Sequence, residues 1–178
     1  MKVLLFNGSP RQGNTMVALQ ALKRGLEKLP DCEVQEIIAE NQTIIPCKAC
    51  NACMSMSRCI FDDDSPDINK AVEEADAIVF ATPVYWWGVT AQLKLIIDKF
   101  YARSSKFKMP KKVGSIAIGE AELDDPEYDI IATQFRCICE HLGWDAVFTK
   151  SYMAGKPADL KQDETALQEI EGLAALLG

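Results

Sequence analysis

Residues 2–29 read KVLLFNGSPRQGNTMVALQALKRGLEKL, and this stretch decides the fold. It opens with a short apolar run, passes through a polar turn that contains Gly8 and Gly13, and continues with apolar side chains at i, i+3, i+4 and i+7. The spacing therefore changes from that of a buried strand to that of an amphipathic helix across the turn. A strand that leads into a helix in this way is the repeating unit of a parallel sheet covered by helices.

The same unit recurs to the end of the 178 residues. The predicted strands are 2–6, 33–38, 77–81, 112–118 and 146–150. Apolar stripes of helical period lie at 18–29, 89–100, 131–142 and 167–177, and a shorter helix is predicted at 67–75, with Ser65 as its cap and Pro66 at its first position. The alternation predicts a single α/β domain with helices on both faces of a five-stranded parallel sheet.

Composition narrows the classes of function. The net charge is -7, with 48% hydrophobic and 25% charged residues, which is ordinary globular usage. This charge argues against nucleic acid and anionic membranes as partners, because those surfaces attract clustered Lys and Arg. The first residues lack a signal-peptide core, and the longest apolar stretch, 77–89, is too short to span a bilayer. We therefore expect a cytoplasmic protein with no membrane partner.

The polar turn after the first strand has the composition of a phosphate-binding loop. Backbone N–H groups at the start of a helix are unpaired and face an anion at the positive end of the helix dipole. Short polar side chains and one cation are available there, on Ser9, Arg11, Asn14 and Thr15. The motif is neither a Walker loop nor a dinucleotide fingerprint. The alternative interpretation is a polar turn with a capped helix.

A second motif follows the third strand, where residues 81–88 read ATPVYWWG. Ligands of doubly wound sheets bind outside the carboxyl ends of the strands, so this turn is predicted to lie beside the first loop. Three adjacent aromatic side chains cannot all point into the core, and at least one is expected at the rim of a site for a planar ring. Packing or a contact between subunits is the alternative.

Four of the seven cysteines, Cys47, Cys50, Cys53 and Cys59, have the spacing C-x2-C-x2-C-x5-C within the long connection 39–64. The first spacings are similar to those of ferredoxins, in which thiolates hold a [4Fe–4S] cluster. Zinc also accepts four thiolates, although its ligands more often come as two separated pairs. Bare thiols are the other interpretation. The remaining cysteines, Cys32, Cys137 and Cys139, are predicted to be buried structural thiols.

Taken together, these motifs resemble the NADPH-dependent FMN reductase and iron-sulfur flavoprotein group of the flavodoxin-like superfamily. The residues that carry the resemblance are Gly8-Ser9-Pro10-Arg11 with Asn14-Thr15, the cysteine run from Pro46, Asp63-Asp64, Thr82 to Trp86, Lys94 and Asp98. The resemblance implies a flavodoxin-like three-layer α/β/α sandwich with the strand order 2-1-3-4-5. It also implies one FMN-binding domain over 1–178, with a cysteine-rich insertion at about 43–64.

The resemblance further implies which residues would meet FMN. The phosphate would lie on Ser9, Arg11, Asn14 and Thr15, and the ring would lie against Pro83, Val84, Tyr85, Trp86 and Trp87, with Gly119 on the far side. The loop 119–122 departs from the group because it lacks consecutive glycines. Four cysteines, Cys47, Cys50, Cys53 and Cys59, would be the ligands of a cluster.

Two functions compete at this point. The first is NAD(P)H-dependent reduction of a flavin, quinone or other small acceptor through FMN; the second is an electron carrier in which a [4Fe–4S] cluster passes electrons between a ferredoxin-like donor and FMN. A homodimer or homotetramer is expected for the group. We assign no catalytic acid or base, because flavin chemistry needs mainly orientation and tuning from the protein. His141 is expected at a helix end, and Asp62 to Asp64 are expected to form a solvated cap.

Overall fold

A computed structural model describes residues 1–107 and 109–178 of the chain. Within these residues five parallel strands form one sheet in the order β2-β1-β3-β4-β5. The strands are β1 (Lys2–Asn7), β2 (Glu33–Ile38), β3 (Ala77–Pro83), β4 (Lys112–Gly119) and β5 (Asp145–Met153). The order places β1 and β3 side by side at the centre, so the loops that follow them are neighbours at the carboxyl edge. The predicted flavodoxin-like topology is confirmed.

Helices cover both faces of the sheet. The α-helices are α1 (Asn14–Leu26), α2 (Cys53–Met56), α3 (Ser65–Glu74), α4 (Ala91–Lys99), α5 (Pro126–Leu142), α6 (Asp159–Gln162), α7 (Glu164–Gly172) and α8 (Ala174–Leu177). Short 3-10 turns lie at Ala39–Asn41 and Phe100–Arg103. No helix in the described part of the chain combines the length and the apolar character that crossing a membrane requires.

The alternation of side chains along β1 divides the core into two layers. Val3 and Leu5 pack with α1 and α7 on one face, whereas Leu4 and Phe6 pack with α3, α4 and α5 on the other. Each of these four side chains is no more than 1% exposed, and full burial of such a side chain contributes about 1.5–3 kcal/mol. A strand that is apolar on both faces is therefore the correct signature of a central parallel strand.

Aromatic side chains fill the second layer. The ring of Phe80 stacks on Phe6 at 5.0 Å and on Phe135 at 4.9 Å between centroids. Trp144, at the end of the connection from α5 to β5, is buried in the same layer, and its indole N–H donates to the carbonyl oxygen of Phe107 at 2.6 Å. The hydrogen bond satisfies the only polar atom of this buried side chain.

The start of α3 differs from the sequence prediction. The helix runs over Ser65–Glu74 with Asp64 as the N-cap residue, so Ser65 is the first helical residue and Pro66 the second. The reason is that Asp63 uses Ser65 as its own partner: one carboxylate oxygen accepts from the Ser65 backbone N–H at 3.0 Å and from its hydroxyl at 2.5 Å. The Ser65 hydroxyl is therefore not free to cap the helix. The strands β3 and β5 also extend beyond their predicted ends.

Candidate functional site

The carboxyl edge of the sheet holds a cavity of about 150 Å³. Its lining combines the loop after β1, the turn after β3 and the ends of β4 and β5: Ser9, Arg11, Asn14, Thr15, Pro83, Val84, Tyr85, Ile118, Gly119, Glu120, Ala154 and Gly155. Eight of the ten cofactor residues named from the sequence line this one cavity. The other two, Trp86 and Trp87, lie outside it.

The loop after β1 leaves the start of α1 open. The N-cap residue is Gly13, which has no side chain to cap the helix, and the first turn carries no acidic residue. The loop is held by its own contacts instead: the Ser9 N–H donates to Asn7 Oδ1 at 3.1 Å, and the Ser9 hydroxyl donates to the Arg11 carbonyl oxygen at 2.8 Å. An uncapped helix start beside an arginine suits an anion such as a phosphate.

Asn14 is fully used within the protein. Its side-chain amide donates to the carbonyl oxygens of Ala154 at 3.1 Å and Lys156 at 2.9 Å, and its Oδ1 accepts from the Leu160 N–H at 3.2 Å. The side chain therefore positions the loop after β5 against α1, which differs from the expected free donor. Ser9, Arg11 and Thr15 are the loop side chains that remain available to the cavity.

The aromatic turn has a left-handed backbone. Tyr85 and Gly88 exchange backbone hydrogen bonds of 2.9 and 3.1 Å, and between them Trp86 and Trp87 have φ angles of 47° and 59°. Two consecutive positive φ angles define a type I′ turn, which bulky residues rarely form. The turn directs Tyr85 to the cavity and leaves Trp86 91% exposed. An aromatic side chain at the rim was predicted, and the turn geometry explains why two of the three lie outside.

The two loops are tied to each other through Thr90. The Gly8 N–H donates to the Ala81 carbonyl oxygen at 2.7 Å, and the Thr90 hydroxyl donates to the Gly8 carbonyl oxygen at 2.6 Å. The Thr90 N–H donates to Thr82 Oγ1 at 3.3 Å. A Cβ at Gly8 would lie 3.0 Å from the Ala81 oxygen, so this close approach requires glycine. Thr90 was missed from the sequence, although its position as N-cap of α4 was a readable signal.

Gly119 forms the wall opposite the aromatic turn. A Cβ here would lie 2.3 Å from Glu127 Oε1 and 2.7 Å from the Tyr128 hydroxyl, so side chains of α5 already fill the space behind it. Burial, together with the neighbouring Glu127 carboxylate, raises the pKa of Tyr128 to about 12. The Tyr128 hydroxyl donates to the Ala121 carbonyl oxygen at 2.8 Å and fixes the loop after β4. The wall is thus bare backbone held rigidly in place.

These features fit FMN. The open start of α1 and Arg11 suit its phosphate, whereas Pro83, Val84 and the bare wall at Gly119 suit a flat ring. The fit depends on the chemistry of the lining: cationic and donor groups lie at one end, and apolar and backbone surface at the other.

The four clustered cysteines line a second, smaller cavity of about 30 Å³. Cys47 and Cys50 are exposed, and Cys53 and Cys59 are half-buried. No three Cys, His, Asp or Glu side chains of residues 1–107 and 109–178 are grouped as the ligands of one metal ion. This arrangement does not fit the zinc interpretation. It does fit a [4Fe–4S] cube in donor chemistry, because each thiolate of a cube binds a different iron and the four sulfurs need not converge on one point.

A buried ion pair lies behind the cysteine cavity. Lys99 Nζ is 2.9 Å from Asp63 Oδ2, and the two side chains are 3% and 0% exposed. The same ammonium donates to Cys59 Sγ at 3.2 Å. Burial alone would lower the pKa of Lys99, but the hydrogen bonds with Asp63 and Cys59 raise it above its ordinary value. The expectation of a solvated cap at Asp62 to Asp64 is therefore wrong for Asp63.

Lys99 was not singled out from the sequence. A signal was present, since Leu93 and Ile96 lie on the buried stripe of α4 and Lys99 continues their three-residue spacing. A lysine at a position that the helical period assigns to the core requires a partner. That partner is four residues beyond Cys59 in the sequence, and only the folded chain brings the two together.

The three other cysteines divide by burial. Cys139 is 2% exposed and Cys32 is half-buried, as a structural role predicts. Cys137 is exposed, so its predicted burial is wrong: it lies two residues from Cys139 on α5 and points to the opposite side of the helix. His141 is in the last turn of α5 and Gly143 follows in the left-handed region at φ 72°, as expected of a helix end.

Comparison with known proteins gives related sequences. An iron-sulfur flavoprotein of Methanocaldococcus jannaschii is 37% identical over 122 residues, which are 67% of this chain and 62% of that protein. One from Methanosarcina thermophila is 34% identical over 116 residues, which are 65% of this chain and 61% of that protein. The chain spans about three fifths of the length of these iron-sulfur flavoproteins. YwqN of Bacillus subtilis, whose name describes an NAD(P)H-dependent FMN-containing oxidoreductase, is 26% identical over 184 residues, covering 97% of this chain and 96% of that protein.

Solved structures share the fold. An azoreductase from Bacillus anthracis superposes with a TM-score of 0.71 at 17% identity, covering 98% of this chain and 97% of that chain. A flavodoxin from the domain Archaea gives 0.62 at 12% identity, covering 98% and 93%. The family described as NADPH-dependent FMN reductase matches residues 1–130, which include the phosphate loop, the cysteine run and the aromatic turn. The chain therefore belongs to the NADPH-dependent FMN reductase family.

Proposed function

We propose that this protein is an FMN-dependent oxidoreductase that uses NAD(P)H to reduce a flavin, a quinone or another small acceptor in the cytoplasm. The observation that carries the proposal is the cavity at the carboxyl edge of the sheet, where an uncapped helix start, Arg11 and a bare backbone wall at Gly119 lie together. Membership of the FMN reductase family supports the same activity.

The residues of the chain divide the work of holding the cofactor. Arg11 and the N–H groups at the start of α1 would bind the phosphate, and Pro83, Val84 and Tyr85 would cover one side of the ring. Thr90 keeps the two loops in register, because its hydroxyl and its N–H bind one loop each. Bound FMN would supply the hydride and electron chemistry, so no side chain has to act as an acid or base.

The phosphate loop gives the direct test. The double substitution Arg11→Ala and Thr15→Ala should weaken FMN binding about 30-fold, which corresponds to about 2 kcal/mol for lost bonds to a charged group. The affinity is measured by calorimetric titration of the FMN-free protein. Arg136→Ala is the matched control, because this arginine on α5 is exposed and contacts Thr133. Unchanged FMN affinity in a folded double variant would contradict the proposal.

The exposed aromatic turn supports a further part of the proposal, a homodimer or homotetramer with this turn at the contact. A tryptophan that is 91% exposed on a rigid turn beside the cavity is an unusual use of apolar surface unless a partner covers it. In an oligomer, Trp86 and Trp87 would border the ring from the rim. Trp87→Ser with Trp86→Ser should shift the sedimentation coefficient to that of a monomer. A wild-type chain that already sediments as a monomer would contradict this part.

The second candidate function is an electron carrier with a [4Fe–4S] cluster between a ferredoxin-like donor and FMN. The observation that favours it is the lining of one cavity by all four clustered thiols. Anaerobic reconstitution should give about four iron and four sulfide per chain, and Cys50→Ala should abolish stable incorporation while FMN binding is retained. Equal iron and sulfide in wild type and variant would indicate iron sulfide on the surface and would contradict this function.

A further inference from the structure

The buried Lys99–Asp63 pair has a feature that a purely structural ion pair does not need. It lies at the back of the cysteine cavity, and its ammonium divides its hydrogen bonds between a carboxylate and the sulfur of Cys59. The other cysteines of the run have no such cation as a recorded hydrogen-bond donor among the described residues. The contact joins positions that are 40 residues apart, on α4 and in the insertion.

Fastening the insertion does not explain this pair. Asp63 already accepts from the N–H of Ile45 at 3.0 Å and from Ser65, and Asp64 accepts from the N–H of Thr43 at 2.7 Å. These bonds close the base of the insertion without a lysine. Burying two charges costs desolvation that their attraction often fails to repay, so an apolar pair of similar volume would hold the loop as well. The ammonium therefore has a further task.

The surroundings make the charge effective at sulfur. The Phe61 ring lies 5.2 Å from Lys99 Nζ and 5.4 Å from Lys48 Nζ, and it lines the cysteine cavity. With the lysine 3% exposed, little water can screen its charge, and a charged hydrogen bond is stronger in such a setting than in water. Asp63 holds the ammonium in place and also offsets part of its charge.

We propose that Lys99 is a positioning residue that raises the reduction potential of an iron-sulfur cluster held by the cysteine run, by donating a hydrogen bond to the sulfur of Cys59. The inference rests on the second candidate function. Reduction by a one-electron donor adds one electron to the cluster and its thiolates, and no bond to Lys99 forms or breaks. The ammonium keeps its proton and stabilises the added negative charge, as hydrogen bonds to sulfur do for such clusters.

Three substitutions separate this role from a structural one. Lys99→Met removes the donor and a positive charge, so the midpoint potential should become more negative. Asp63→Asn keeps the donor and removes the offsetting negative charge, so the potential should become more positive. The double variant removes both charges and the hydrogen bond, and its potential should lie below that of wild type and above that of Lys99→Met. A structural role would shift the two single variants in the same direction.

The measurement is an anaerobic potentiometric titration of reconstituted protein, followed by electron paramagnetic resonance, with FMN content determined on the same samples. Lys70→Met is the matched control, since it removes an exposed lysine that pairs with Glu74 on the surface, and its potential should equal that of wild type. Potentials of Lys99→Met and of the double variant that match wild type would overturn the inference and leave the electron-carrier function intact. Failure of all Lys99 variants to take up a cluster while still binding FMN would show a structural residue and would also overturn it.

A wild-type chain that takes up no stoichiometric cluster would remove both the inference and the electron-carrier function. The FMN content of that sample would still report on the reductase function, because the phosphate loop contributes no cysteine. The outcomes of the titration are therefore distinguishable from failure of the flavin site.

Discussion

Cys137 and Cys139 are two positions apart on α5, yet their thiols have opposite surroundings. Cys137 is exposed, whereas Cys139 is 2% exposed, and burial raises its pKa to about 11. Only the thiolate reacts with an alkylating reagent, so Cys139 should stay unmodified at pH 8 while Cys137 reacts. Peptide mass spectrometry after iodoacetamide treatment of native protein measures both sites. In urea both should react, and equal labelling in the native state would contradict the assigned burial.

Asp63 should make stability depend on acid. Burial alone would raise its pKa, but hydrogen bonds from Lys99, Ser65 and Ile45 outweigh burial and lower the pKa below its ordinary 3.8. A lowered folded-state pKa contributes stability above pH 3.8 that is lost as the pH falls through and below that value. Urea unfolding of iron-free protein should show this loss in wild type.

Asp63→Asn is the matching variant. It should cost about 3 kcal/mol at pH 7, because Lys99 is then buried without a counter-ion, and its stability should change less than that of wild type between pH 5 and pH 3. An acid dependence identical to that of wild type would assign the effect to other carboxylates.

Among the elements, the aromatic turn gives a test that is independent of any ligand. Trp86 is at φ 47°, a region that costs a non-glycine residue about 1–2 kcal/mol, and its exposed side chain contributes little packing. Trp86→Gly should therefore be about 1 kcal/mol more stable than Trp86→Ala, because alanine keeps the Cβ and the strain. The free energy of unfolding in urea measures the difference. Equal stabilities would mean that the left-handed turn is unstrained.

The sequence predicts those elements whose signals are local. The period of 2–29, the run 77–81 and the cysteine spacing each lie within one segment, and the strands, the phosphate loop and the insertion were found from them. The short helix α2 and the left-handed turn at Trp86 were not found, because the turn breaks the ordinary preference for glycine or asparagine. Their conformations depend on what surrounds them.

At the scale of the molecule, one glycine decides how the C-terminal helices pack. A Cβ at Gly25 of α1 would lie 2.1 Å from the Glu171 carbonyl oxygen and 2.8 Å from Ala174 Cβ. Alanine is normally favoured over glycine within a helix by about 1 kcal/mol, but here the clash is with backbone and cannot relax cheaply. Gly25→Ala should therefore lower the free energy of unfolding by about 2 kcal/mol or more.

Gly172→Ala supplies the control, because no atom lies within 4 Å of a Cβ at this helical position in α7. That variant should be as stable as wild type or up to about 1 kcal/mol more stable. Thermal unfolding of the two variants side by side decides the matter. A Gly25→Ala protein at least as stable as wild type would mean that α1 and α7 pack less closely than described.

Contacts across the whole chain explain what the sequence could not predict about the site. Lys99 meets Cys59 across 40 positions, and Asn14 meets Leu160 across 146. Neither pair has a local pattern, so the buried cation and the occupied amide were both missed. The flavin cavity was easier to foresee, since strand order alone brings the loops after β1 and β3 together.

The placement of the three tryptophans decides how the molecule can be observed in solution. Trp144 is buried with its N–H bonded to Phe107, whereas Trp86 and Trp87 are exposed beside the flavin cavity. Trp144 should fluoresce at short wavelength and the other two at the wavelength of indole in water. Blue-edge emission would then report global unfolding, and red-edge emission would report ligands and partners at the aromatic turn. One protein thus carries two optical probes, one for its core and one for its site.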